Sequence, residues 1–282
     1  MLRDSHDGGL IEDLKQMALA RRRALGWLAG TMLAGCGGGG SSATSSTSST
    51  SSSSGSTGGT TTTTSTSGSC SVIPNETEGP YPGDGSNTAN GSIANALALA
   101  GIVRSDIRTS VAPGSATANG VPLTLTLKLE DTSSSCASLA GYAIYVWHCD
   151  APGRYSLYSS GVTGENYLRG VQTTGADGTV TFTTIFPGCY AGRVPHIHFE
   201  VYRNAAAATS YANKLRTSQL TFPLDTCATI YAVASGYGNS TSNLAAISFS
   251  SDGVFSDGVT LQLAALTGSV AAGYAASLTI GL

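Results

Sequence analysis

The sequence predicts a mostly β domain, a β-sandwich, carried behind an export signal and a flexible tether. Three observations lead there. Beyond residue 70, short apolar–polar alternations recur between Gly-rich turns, as packed antiparallel sheets require. Helical periodicity is confined to an Ala/Leu stretch near 93–100 and to 228–235. Residues 37–69 are almost wholly Gly, Ser and Thr, and cannot bury enough apolar surface to offset the entropy of ordering.

The first segment, 1–36, contains Arg21, Arg22 and Arg23, an apolar run from Ala24 to Gly35, and the ending LAGC. The run is shorter than the roughly 20 apolar residues of a spanning helix. Basic residues before a short apolar stretch read as an export signal. LAGC resembles a bacterial lipobox, which makes Cys36 the candidate lipidated N-terminus; an ordinary secretory signal is the alternative. The arginines also resemble a twin-arginine signal. The expected location is outside the cytoplasm, as a lipoprotein anchored to the membrane and facing the periplasm or the cell exterior. A Gly/Ser coil as long as 37–69 reaches on the order of 30 Å; a glycosylated stalk is the alternative. Residues 70–282 then make one domain by length.

Within that domain, strands are expected at PLTLTLKLE (122–130), GYAIYVWHC (141–149) and GTVTFTTIF (178–186), the last after a GADG turn. HIHFEVYR, SQLTFP and the tail segments GVTLQLAAL and GYAASLTIGL complete the set. The net charge is −3 and no basic run follows the signal, so nucleic acid is not an expected partner. Five cysteines follow Cys36: Cys70, Cys136, Cys149, Cys189 and Cys227. An exported protein can form disulfides, and an odd number leaves at least one thiol unpaired. There is no CxxC pair to form a zinc knuckle.

The chemistry concentrates in FPGCYAGRVPHIHFEVY, residues 186–202. On a strand, His196 and His198 point to one face, which makes them either a surface accident or half of a metal site. All three methionines precede Cys36, so the axial thioether of a blue-copper centre is absent from the domain. His148, the remaining histidine after the tether, lies in a separate apolar strand and is expected in the core or behind the site. A metal at His196 and His198 therefore takes other ligand types. Tyr155 and Tyr190 follow the turns PGR and PGC, with Tyr158 a nearby competitor. Asp150 and Glu200 are expected to be structural.

WHCDAPGRYS, YLRGVQTTGADGTVTFTTIFPGCYAGRVPHIHFEV and ETEGPYPGDG together resemble the intradiol ring-cleaving dioxygenases, the superfamily of catechol and protocatechuate dioxygenases. The resemblance runs from about Ile73 to Phe222 and weakly to the end. It implies a β-sandwich of the intradiol dioxygenase type and non-haem Fe(III) bound by Tyr155, Tyr190, His196 and His198. It also implies a catechol-type substrate, O2 as co-substrate and a cis,cis-muconate-type dicarboxylate as product. Two phenolates and two neutral imidazoles would leave Fe(III) with a net charge near +1. The resemblance gives Tyr190 the role of proton acceptor, Arg193 that of stabilising negative charge on the ring, and Gln219 a place beside them. Cys189 stands where many relatives carry a bulkier residue, and Cys227 is its candidate disulfide partner. Two rival readings exist. One is a non-catalytic surface β-sandwich that binds glycan or protein. The other is a zinc or copper hydrolase-like site, which leaves both tyrosines unexplained.

Overall fold

The computed structural model describes residues 70–282; the expected signal, Cys36 and the 37–69 tether lie outside the described residues. One sheet has the order β10 (Ala265–Ser269), β11 (Gly273–Gly281), β3 (Pro122–Asp131), β4 (Ala137–Ser138), with β7 (Thr179–Ile185) also paired to β3. β11 runs parallel to β3, and the other pairings are antiparallel. The second sheet is antiparallel, in the order β6 (Arg169–Thr173), β5 (Ala143–Trp147), β8 (His196–Tyr202), β9 (Lys214–Thr221).

The alternation in PLTLTLKLE makes the core. Leu123, Leu125, Leu127 and Leu129 are buried in one cluster with Val180 and Phe182 of β7. Ile144 and Val146 of β5 and Ile197, Phe199 and Val201 of β8 join it from the other sheet. Each such side chain contributes about 1.5–3 kcal/mol on burial. β8 is buried along its whole length, because its second face is covered as well. On that face Ala94, Ala96, Leu97 and Ile102 pack with Tyr145, Trp147, Tyr155 and Tyr202. The covered face holds the site.

Several expectations need correction. The helix expected near 93–100 is a strand followed by one turn. β1 (Asp84–Ala89) and β2 (Ser92–Asn95) form a hairpin, and Ala96–Ala98 is a single 3-10 turn. The turn residues Asn90 and Gly91 both have positive φ, 50° and 79°, which suits the right-handed twist of paired strands. The second expected helix forms, as α1 (Leu224–Val233). A further short helix, α2 (Ser240–Ala245), and strand β6 were not among the expected elements. In GVTLQLAAL only the end is strand. The amides of Gln262 and Leu263 both donate to the Val259 carbonyl at 2.8 Å, closing a turn before β10. That turn buries the Gln262 side chain, which donates to the Gln219 carbonyl at 3.1 Å.

The disulfide joins Cys70 to Cys136, and the expected Cys189–Cys227 pair is not formed. Cys149, Cys189 and Cys227 are buried free thiols. Cys189 Sγ donates to the Arg193 carbonyl at 3.4 Å, and Cys227 packs in the core from α1. Burial pushes the Cys189 thiol up to about 12, so it stays protonated and unreactive.

Candidate active site

Four residues line up across the second sheet. Arg169, Trp147, His198 and Gln219 are direct cross-strand neighbours on β6, β5, β8 and β9. Directly opposite residues share a face, so all four project to the covered side. Two residues before His198, His196 joins them, as the period of a strand dictates.

Both imidazoles are neutral. Burial first, then the Arg193 charge, holds His196 well below the usual histidine range; burial, then His196, does so for His198. His196 Nδ1 donates to the Val194 carbonyl at 2.7 Å, which leaves its Nε2 as a lone pair. Three atoms crowd that lone pair: Tyr155 Oη at 3.3 Å, Tyr190 Oη at 3.1 Å and His198 Nε2 at 3.1 Å. One in-plane lone pair satisfies one donor, not three. Ligands at right angles around an ion with bonds of ~2.1 Å stand ~3.0 Å apart, so this spacing fits a shared cation. Among the described residues, His198 Nδ1 has no hydrogen-bond partner. The ring is instead held by Trp147, stacked on it at 4.8 Å and 8°. Two imidazoles and two phenol oxygens are a donor set suited to ferric iron, since phenolate is a hard ligand. Among the described residues, the cluster of three His, Cys, Asp or Glu donors is Cys70, Glu130 and Cys136, whose cysteines are consumed by the disulfide.

The two tyrosines arrive on turns that touch. A Cβ on Gly188 would stand 2.3 Å from the Ala151 carbonyl oxygen, and one on Gly153 would stand 3.2 Å from Tyr190 Cβ. Only glycine lets the PGR and PGC turns approach this closely. Asp150 fixes the first turn by accepting from the Arg154 amide at 2.7 Å. Tyr155 is buried beneath the Tyr81 ring, 4.9 Å between centroids, whereas Tyr190 is half-buried. Tyr158, the competitor for the ligand position, faces the hairpin: its hydroxyl accepts from the Gly83 amide and donates to Asn87 Oδ1. His148 bonds the Cys149 carbonyl and the Thr184 hydroxyl at 2.8 and 2.7 Å, and burial takes it down to about 4. Glu200 accepts from Tyr202 and Lys214, away from the four donors.

Arg193 is fully buried, and its Nη2 donates to Gln219 Oε1 at 2.7 Å. Gln219 Nε2 in turn donates to the Thr77 carbonyl at 2.9 Å, tying the ETEGPY segment over the site. The structure thus brings together Tyr155, Tyr190, Arg193, His196, His198 and Gln219. Sequence reasoning did not single out Trp147, Arg169, Tyr81 or Asp252. Tyr81, Trp147 and Arg169 lie within the motifs ETEGPYPGDG, WHCDAPGRYS and YLRGVQTT; nothing local marks Asp252.

The sequence model of the Dioxygenase family matches residues 104–256, more than half of the chain. The protein is a dioxygenase. An intradiol ring-cleavage dioxygenase from Tetranychus urticae is 27% identical, over 75% of this chain and 94% of that one, with a TM-score of 0.57. A second dioxygenase structure is 26% identical over the same shares, with a TM-score of 0.56. A 3-chlorocatechol 1,2-dioxygenase from Rhodococcus opacus 1CP is 18% identical, over 74% and 71%, with a TM-score of 0.46. No curated protein matches the chain. The chain belongs to the intradiol ring-cleaving dioxygenases, a family that opens catechol rings and uses non-haem Fe(III).

Proposed function

We propose that this dioxygenase opens a catechol between its two hydroxyl-bearing carbons with O2, giving a cis,cis-muconate-type dicarboxylate. Tyr155, Tyr190, His196 and His198 would hold the Fe(III). The observation that carries this reading is the convergence of three donor atoms on His196 Nε2. Bound ferric iron would supply Lewis acidity and make a catecholate ring reactive toward O2. The chain's own residues do the rest. Tyr190 is half-buried, and its Oη, a phenolate when it holds the metal, would take the proton of an incoming hydroxyl. Tyr155, packed beneath Tyr81, stays in place. Arg193 stabilises negative charge developing on the ring, with Gln219 steadying its Nη2.

The test is product analysis under labelled O2 with no added reductant. A dicarboxylate with one labelled atom in each new carboxyl group is expected, apart from exchange with water. A yellow semialdehyde would contradict the assignment. Export and anchoring through Cys36 complete the proposal. The Cys70–Cys136 disulfide supports it, because such bonds persist in oxidising compartments. Cys36→Ser should release the folded domain from membranes.

A further inference from the structure

We infer that Asp252 is a positioning residue that aims Arg193 at the reacting ring. The inference rests on the ring-opening reading above. Asp252 comes from the loop after α2 and is wholly buried, as is Arg193. Its two oxygens accept from Arg193 Nε at 3.2 and 3.0 Å. They also accept from the amides of Val194 at 2.8 Å, Val254 at 2.9 Å and Phe255 at 3.3 Å. The carboxylate is therefore anchored by backbone donors on both sides of the contact. One comes from the chain leading into His196, and two from its own loop. A carboxylate held by backbone amides cannot follow a moving guanidinium; the guanidinium has to sit where the carboxylate is.

Two further contacts fix the remaining freedom. Gln219 takes the Nη2 side at 2.7 Å, and the Phe255 ring lies 5.9 Å from the guanidinium carbon. Val194, Val254 and Phe255 form an apolar cluster around the ion pair and keep water from competing for it. Asp252 thus fixes the Nε edge, and Gln219 one terminal nitrogen. Displacing a charge-stabilising group by about 1 Å can cost on the order of 100-fold in rate.

The experiment compares Asp252→Asn, Arg193→Gln and the double variant with the parent protein. Iron content, thermal melting, anaerobic catechol affinity and steady-state kinetics are measured for each. For Asp252→Asn, iron content and anaerobic affinity should stay parental. Its kcat should fall roughly 10- to 100-fold with KM shifted less than about threefold, because the lost interaction acts in the transition state. In the Arg193→Gln background, Asp252→Asn should cost no further kcat. Either a parental kcat in Asp252→Asn or a full additional loss in the double variant overturns the inference. If Asp252→Asn does not fold, Asp252→Glu is read in its place. It keeps the charge but moves the carboxylate by one methylene, and a parental kcat there overturns the inference as well. A parent protein that binds iron yet opens no catechol would instead sink the ring-opening reading, and this inference with it.

Discussion

Tyr155 and Tyr190 meet the same imidazole nitrogen but differ in burial, and the proposed reading gives them separate tasks on that ground. Tyr155→Phe removes a buried donor that no water can replace, so the variant should lose iron or most of its visible band. Tyr190→Phe removes a half-buried one. It should keep part of the iron, shift the colour and lose turnover, because the proposed proton acceptor is gone. Metal analysis and visible spectra of the two variants check this. Both staying coloured and active like the parent would refute the assignment. At this scale the site was legible where its residues are neighbours in sequence. His196 and His198 share a face because a strand has period two, and Arg193 lies three residues upstream. Asp252 was not legible. It reaches Arg193 across 59 residues of chain, and an isolated Asp between serine and glycine reads as a loop residue.

Among the elements, β6 joins the site to the segment that covers it. Arg169 sits in the cross-sheet row beside Trp147 and is buried. It donates to the carbonyls of Tyr81, Pro82 and Ser156 and to the hydroxyls of Ser156 and Tyr145, at 2.7–3.1 Å. One side chain thereby clamps the turn carrying Tyr155 and the segment carrying Tyr81. Arg169→Met would leave several buried oxygens without donors. Unfolding in urea should show a loss of about 3–5 kcal/mol. The element pattern was legible for β3, β7 and β8, whose alternation matches a half-buried or sandwiched strand. It failed for β2 and the turn after it, where the Ala/Leu run imitates a helix, and it gave no sign of β1 beyond the Asn90–Gly91 turn of the hairpin. It failed again in GVTLQLAAL, where a buried Gln262 favours a turn over the strand that alternation suggests.

The whole domain also responds to pH and to reduction. Burial raises the carboxyls of Glu76 and Glu200 from the usual 4.5 to about 7. Between those values the folded protein holds protons that the unfolded chain releases. These groups therefore lower stability as pH rises through that window, and the loss is complete near pH 7. Glu76→Gln should flatten the decline in urea midpoint between pH 4.5 and 7; an unchanged slope would exclude Glu76 as its source. The Cys70–Cys136 bond closes a loop of 66 residues, and in the chain-entropy picture its loss costs about 4 kcal/mol. Cys70→Ser should lower the melting temperature and leave turnover unchanged, since neither cysteine contributes to the donor cluster.

All of this is organised around one arrangement, in which two turns and one strand of a β-sandwich bring two phenols and two imidazoles to a single point. The most direct measurement is a titration of metal-free protein with Fe(III), followed by visible absorption. One equivalent should bind and raise a tyrosinate-to-iron band, giving a red-brown protein. Tyr155→Phe should abolish or strongly weaken that band. Iron that binds without the band, or a band unchanged in Tyr155→Phe, would contradict the four-residue site.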